Sequence, residues 1–158
     1  MKQAQLKTTS REETLALAAA FAQALQGGEI VFLRVPIGAG KTVFVKGVAA
    51  ALGLKGSPTS ASFSLLKEYK NKHMRLFHID LFRLEAGEVF NLGFEEMLQD
   101  EHALILAEWP DPVAKLFPAD RLEINFVLDS QDTRILQLSS FGRVSDGLLE
   151  RLCQAAHS

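Results

Sequence analysis

A glycine-rich turn lies between a strand pattern and a helix pattern in this 158-residue chain and limits the folds that the chain can adopt. Residues 29–35, Glu-Ile-Val-Phe-Leu-Arg-Val, are β-branched and apolar, which predicts a strand buried on both faces of a parallel sheet. The turn at residues 38–42, Gly-Ala-Gly-Lys-Thr, follows, and apolar residues then recur at helical spacing from Val43 to Leu52. A strand, a glycine turn and a helix in this order are typical of a phosphate-binding loop.

Such a loop binds phosphate because successive backbone N–H groups point at the anion, and the helix that follows adds the positive end of its dipole. Lys41 would supply a positive charge to the β- and γ-phosphates, and the Thr42 hydroxyl would ligate a bridging magnesium ion. The full pattern has a glycine where this chain has Val35, and Pro36 has no N–H to donate. The amides expected to contact phosphate lie later and belong to Gly38, Ala39, Gly40, Lys41, Thr42 and Val43.

Two acidic residues come at the ends of predicted strands: Asp80 follows Leu-Phe-His-Ile, and Glu108 follows Leu-Ile-Leu-Ala. Ligands of open α/β sheets bind beyond the carboxyl ends of the strands. We therefore expect one acid to hold magnesium, directly or through water, while the other polarises the attacking water. His78 has a supporting role in this interpretation, and Trp109 either belongs to the core or covers the nucleotide or a partner surface.

The rest of the chain predicts a mixed sheet with helices around it. Ser10 and Glu13 have the spacing of a capping box for a first helix that ends near Gly27, and Ser145 is expected to cap the last helix. The other expected elements are strands at 63–69, 74–81, 103–108, 121–128 and 133–141, a helix at 85–98 interrupted at Gly93, and a turn or short helix at 113–117. The predicted fold is an α/β, P-loop NTPase-like mixed sheet, mostly parallel with antiparallel additions, in a single domain over residues 1–158.

Composition excludes several classes of protein. The chain has 17 Lys and Arg against 19 Asp and Glu, a net charge of -2, so binding of a polyanion would need a local patch or another protein. Cys153 is the only cysteine, which fits a reducing compartment. No secretory signal and no apolar run of membrane-spanning length is visible. We expect a cytoplasmic protein without a membrane partner.

Four motifs together resemble the TsaE family, also called YjeE, of small bacterial P-loop ATPases required for threonylcarbamoyladenosine synthesis on tRNA. The likeness extends from the first strand to Trp109. A Gly-Lys-Thr turn alone is common to many kinases and GTPases, whereas its combination with the other motifs at this distance is specific. The motifs are Gly-Ala-Gly-Lys-Thr at 38–42, His-Ile-Asp-Leu-Phe-Arg-Leu at 78–84, Leu-Gly-Phe-Glu-Glu at 92–96 and Glu-Trp-Pro at 108–110.

The resemblance implies that Lys41 and Thr42 bind phosphate and magnesium, and that Asp80 and Glu108 serve the metal and hydrolysis. Trp109 matches a position that the family uses in its active site. A switch-like Ser-Pro-Thr-aromatic segment of the family corresponds to Ser-Ala-Ser-Phe at 60–63, which leaves the Ser62 hydroxyl to contact metal or water, or to Ser-Pro-Thr at 57–59 in a shifted register.

The function that the resemblance implies is that of a weakly hydrolysing accessory ATPase for N6-threonylcarbamoyladenosine (t6A) modification of tRNA. Its cofactors would be ATP or ADP and Mg²⁺, and its partners TsaD- and TsaB-type proteins, through which it would meet tRNA. Two alternatives stay open. A small-molecule kinase would need an acceptor pocket and arginines, of which only Arg83 lies near the predicted site. A nucleotide-dependent binding module without catalysis would tolerate Val35, Ala61 and Ser62.

Overall fold

One mixed sheet of eight strands organises the chain in a computed structural model that describes residues 1–34, 41–56, 66–80, 94–108 and 111–157. The strands are β1 (Lys2–Thr8), β2 (Ile30–Arg34), β3 (Lys55–Gly56), β4 (Leu66–Lys70), β5 (Arg75–Asp80), β6 (Ala103–Glu108), β7 (Leu122–Leu128) and β8 (Arg134–Ser140). The helices are α1 (Arg11–Ala24), α2 (Lys41–Ala51), α3 (Phe94–Gln99) and α4 (Arg143–Ala156), with a 3-10 helix at Asp111–Leu116.

The strands lie in the order β1-β8-β7-β2-β6-β5-β4-β3. The four central strands β7, β2, β6 and β5 are parallel neighbours, whereas β8 pairs antiparallel with both β7 and β1, and β4 pairs antiparallel with both β5 and β3. Six strands therefore run in one direction, and β4 and β8 run in the other. The predicted mixed and mostly parallel sheet and both predicted hairpins are confirmed.

Every residue of β2 and β6 is buried except Arg34, which is partly buried at the end of β2. The core therefore lies on both faces of the sheet. On one face, Val31 and Leu33 belong to a cluster with residues of α1, α2 and α4. The ring centroid of Phe44 in α2 lies 5.5 Å from that of Phe21 in α1 and 5.4 Å from that of Phe126 in β7. On the other face a smaller cluster includes Phe32 of β2.

The first helix begins with a modified capping box. The Ser10 hydroxyl accepts a hydrogen bond from the N–H of Glu13, as predicted. The Glu13 carboxylate, however, accepts from the N–H and hydroxyl of Thr9 rather than from the N–H of Ser10. These bonds lower the pKa of Glu13.

The last helix begins differently from the prediction, since Gly142 and not Ser145 occupies its N-cap position. Ser145 lies in the first turn, where its hydroxyl accepts from the N–H of Gly142. The carboxylate of Asp120, distant in sequence, accepts from the N–H groups of Val144 and Ser145 at 2.8 and 2.9 Å. Partial burial opposes the charged form of Asp120, but the bonds from Ser145 and Val144 hold its pKa below the usual value.

Sequence analysis did not predict β1, the strand at the edge of the sheet. Its alternate residues Ala4 and Leu6 pack against the core, while Gln3, Gln5 and Lys7 are exposed. The predicted strand at 63–69 and helix at 85–98 are described only as β4 and α3, because residues 57–65 and 81–93 lie outside the described residues. Among the described helices, none is long and apolar enough to cross a membrane.

Candidate functional site

The register of three parallel strands brings two predicted site residues to one edge of the sheet. Glu108, the last residue of β6, is the register partner of Leu33 in β2 on one side. On the other side it is the register partner of Asp80, the last residue of β5. The two acids therefore occupy neighbouring positions beside the end of β2, at the carboxyl edge where open α/β sheets bind ligands.

The strand and the helix that flank the glycine turn are both present. The chain leaves β2 at Arg34, and Lys41, Thr42 and Val43 are the first three residues of α2. The first N–H groups of an α-helix have no acceptor within the helix, so the beginning of α2 is suited to an anion. The turn residues Gly38, Ala39 and Gly40 lie outside the described residues.

Glu108 is a buried acid, with only 1% of its surface exposed. A carboxylate removed from water needs hydrogen-bond donors or a counter-charge to remain ionised. Oε1 of Glu108 is hydrogen-bonded to Nε2 of His78 in β5, a ring nitrogen that donates when it carries the hydrogen. The His78 side chain is 16% exposed. The supporting role predicted for His78 thus has a defined partner.

His78 and Glu108 lie on the face of the sheet that α2 covers. Register partners on neighbouring strands point to the same face. His78 is in register with Leu106, and Glu108 with Leu33. Both leucines belong to the core cluster that contains Phe44 of α2. The buried carboxylate therefore lies on the same side of the sheet as the helix that follows the glycine turn.

The other predicted site residues are only partly described. Asp80 is placed by its backbone as the register partner of Glu108. Ser62 and Trp109 lie outside the described residues. Within the described ranges, no group of three or more His, Cys, Asp or Glu side chains could hold a metal ion. Magnesium coordination by Thr42, Ser62, Asp80 and Glu108 remains a prediction.

A second buried acid, Glu29, lies at the opposite end of β2 and has a structural role that sequence analysis missed. Its carboxylate accepts hydrogen bonds from the N–H groups of Gln26 and Gly27 at 2.5 and 2.8 Å. The guanidinium Nη2 of Arg151 in α4 lies 3.6 Å from Oε1 of Glu29. The bonds close the turn between α1 and β2. An acid placed directly after two glycines and before an apolar strand is the signal that could have indicated it.

Comparisons with known proteins agree with one another. A sequence model of the family described as threonylcarbamoyl adenosine biosynthesis protein TsaE matches residues 8–136. The tRNA threonylcarbamoyladenosine biosynthesis protein TsaE of Bacillus subtilis (strain 168) is 33% identical over 152 residues, which cover 96% of this chain and 95% of that protein. The protein of the same name from Rickettsia bellii (strain RML369-C) is 35% identical over 142 residues, or 89% of this chain and 97% of that protein.

A solved structure has a similar fold. The crystal structure of YdiB from Bacillus subtilis matches with a TM-score of 0.76 at 29% sequence identity, over 97% of this chain and 95% of that chain. The mixed sheet and its flanking helices are therefore an architecture already seen in a solved protein.

Proposed function

The chain belongs to the TsaE family, and we propose that it binds and slowly hydrolyses ATP in support of t6A modification of tRNA. The relatives that it matches are named tRNA threonylcarbamoyladenosine biosynthesis proteins. In this proposal residues 1–158 are one nucleotide-binding domain that acts in the cytoplasm. It works in an assembly with TsaB- and TsaD-type proteins, which accelerate its ATPase activity.

The observation that carries the proposal is the position of Glu108. Its buried carboxylate lies at the carboxyl edge of the sheet, next to the strand that leads into the glycine turn, and on the side that α2 covers. A carboxylate in that place can accept a proton from an attacking water or orient it. An acid that served only solubility would be exposed to solvent.

The residues proposed for the site fit a magnesium nucleotide. Mg²⁺ prefers oxygen ligands, and Thr42, Ser62, Asp80 and Glu108 all carry hydroxyl or carboxylate oxygens. When bound, the ion would offset the negative charge of the phosphates. The ammonium of Lys41 would add to this charge compensation, and the amides of residues 38–43 would orient the phosphates. Trp109 would cover the nucleotide.

The charge of the chain supports a division of labour with partner proteins. Its net charge is -2, and affinity for tRNA rests mainly on positive charges that contact phosphates. We therefore propose that the TsaB- and TsaD-type partners hold the tRNA. This protein then contributes nucleotide-dependent changes to the assembly rather than tRNA affinity.

The proposal is tested in bacterial cells depleted of their own TsaE, by measuring t6A in digested tRNA with mass spectrometry. The wild-type chain should restore t6A, and Glu108→Gln at an equal protein level should not. Failure of the wild type would contradict the proposed role. Restoration by both would support the binding module without catalysis. ATP consumption coupled to a phosphorylated metabolite would support the kinase instead.

A further inference from the structure

The hydrogen bond between His78 and Glu108 suggests how His78 would support the candidate site. We propose that His78 is a positioning residue that fixes the orientation of the Glu108 carboxylate for ATP hydrolysis. This inference rests on the proposed ATPase function. His78 would act through Glu108 and would not itself contact the nucleotide.

The geometry of the parallel pair explains how the two side chains meet. His78 is in register with Leu106, so Glu108 lies two residues further along the neighbouring strand, on the same face of the sheet. Neighbouring strands are about 4.8 Å apart, and an imidazole is long enough to cross that spacing diagonally. The contact therefore joins two strands rather than two loops.

The pattern of β5 indicates that this histidine serves the edge of the sheet rather than the core. Leu76 lies on the same face two residues before His78 and is fully buried, and Asp80 is the last residue of the strand. The strand thus changes from apolar to polar as it approaches the candidate site. An apolar residue at position 78 would continue the core but would give Glu108 no donor from this strand.

The chemistry of the pair gives the bond a direction. When Glu108 is ionised its carboxylate can only accept hydrogen bonds, and in that state the Nε2 of His78 carries the hydrogen and donates it to Oε1. Fixing one oxygen restricts rotation of the carboxyl group. Residues that orient a group in this way make it ready for catalysis without touching the substrate. Loss of the donor should therefore lower kcat and leave nucleotide affinity unchanged.

Three substitutions at position 78 separate positioning from folding. His78→Leu removes the donor at similar size. His78→Gln places an amide N–H near the position of Nε2. The side chain of His78→Asn is one methylene shorter, so its amide does not reach Glu108. His73→Leu is the matched control, because His73 is exposed in the turn between β4 and β5.

The experiment measures kcat, KM for Mg-ATP and thermal stability for each variant with TsaB- and TsaD-type partners present. The Leu and Asn variants should lose about 10- to 100-fold in kcat, with KM within roughly twofold of wild type, and the Gln variant should keep most of the activity. The contrast between Gln and Asn still decides the matter if the Leu variant does not fold. His73→Leu should match the wild type.

Three results would overturn the inference, and they differ in what they say about the proposed function. Wild-type turnover with an unchanged kcat in the Leu and Asn variants would overturn the positioning role alone. Equal losses in the Gln and Asn variants would also overturn it, because retention of a donor at the right distance would then have no effect. A wild type that hydrolyses no ATP even with its partners would overturn the ATPase function and the positioning role together.

Discussion

The Nε2 of His78 is hydrogen-bonded to Oε1 of Glu108 across the parallel strands β5 and β6. Both residues are anchored by strands in the middle of the sheet, so the sheet register determines where the buried carboxylate lies. Sites built on strands hold side chains more precisely than sites built on loops. We therefore expect the Glu108 part of the site to be preformed before nucleotide binds.

Glu108→Gln should nearly abolish ATP hydrolysis while nucleotide binding is retained. The substitution keeps the size of the side chain but removes the carboxylate that would accept a proton from water or orient it. A loss of about 10²- to 10⁴-fold in kcat is expected for a general base. Steady-state ATPase assays with partners, and titration of a fluorescent ATP analogue, measure the two effects.

The control for this substitution is Glu101→Gln. Glu101 is exposed and lies just before β6, at the opposite end of the strand from Glu108. It should leave both the kcat and the nucleotide affinity unchanged. Comparable losses in the two variants would show that the site depends on charge in general and not on Glu108.

Lys41→Ala should weaken binding of ATP, since the proposed phosphate loop would lose its mobile positive charge. We expect at least a roughly tenfold rise in the Kd, because charge-assisted hydrogen bonds contribute about 1.5–3 kcal/mol each. Isothermal titration calorimetry with Mg-ATP measures it. Lys46→Ala is the control, because Lys46 is an exposed lysine of the same helix. Equal affinities for Mg-ATP in the Lys41→Ala and Lys46→Ala variants would indicate that the nucleotide does not bind at the proposed phosphate loop.

Phe44→Ala should strongly destabilise the fold. The ring is 1% exposed and contacts Phe21 of α1 and Phe126 of β7, so it joins the helix after the glycine turn to the sheet. Truncation of a buried phenylalanine costs about 3–5 kcal/mol. Urea denaturation followed by circular dichroism measures the free energy of unfolding. Phe141→Ala, at a residue 37% exposed, should cost less than about 1 kcal/mol.

Asp120→Asn should reduce the pH dependence of stability in acid. The pKa of Asp120 is lowered in the folded chain, where the carboxylate accepts from the first turn of α4. A lowered pKa contributes stability above the unfolded-state pKa of about 3.9, and that stability is lost as the pH falls through the folded-state pKa. The free energy of unfolding of the wild type should fall by about 1 kcal/mol more than that of the variant between pH 5 and 3.

Urea denaturation at several pH values checks this prediction. Asp132→Asn is the matched control, because Asp132 is exposed in the turn between β7 and β8. It should keep the wild-type pH dependence. Parallel curves for wild type and Asp120→Asn would contradict the capping role of Asp120.

Sequence patterns predicted the central elements because those elements are strongly periodic or uniformly apolar. β2 and β6 are continuous apolar runs, and the two hairpins have polar turns between alternating strands. β1 lacks a strong apolar signal because polar residues cover its exposed face, and its core-facing residues are Ala4, Leu6 and the buried polar residue Thr8. Ser145 was a plausible cap by composition, but Asp120, 25 residues away, takes that role.

The candidate site could be predicted as a set of residues but not as an arrangement. Both acids were found from their positions at strand ends. That Asp80 and Glu108 are register partners, and that His78 reaches Glu108, depends on how β5 pairs with β6. Sequence spacing within one strand does not by itself determine how that strand is aligned with a parallel neighbour, because no short turn joins the two.

Whether the ATPase activity depends on partner proteins is measured by ATP hydrolysis with and without TsaB- and TsaD-type proteins. Phosphate release is measured for the wild type and Glu108→Gln at matched concentrations. We expect slow turnover by the wild type alone, a clear acceleration with both partners, and no acceleration for Glu108→Gln above the partners' own background. A wild-type rate that the partners leave unchanged would contradict the proposed dependence on partner proteins.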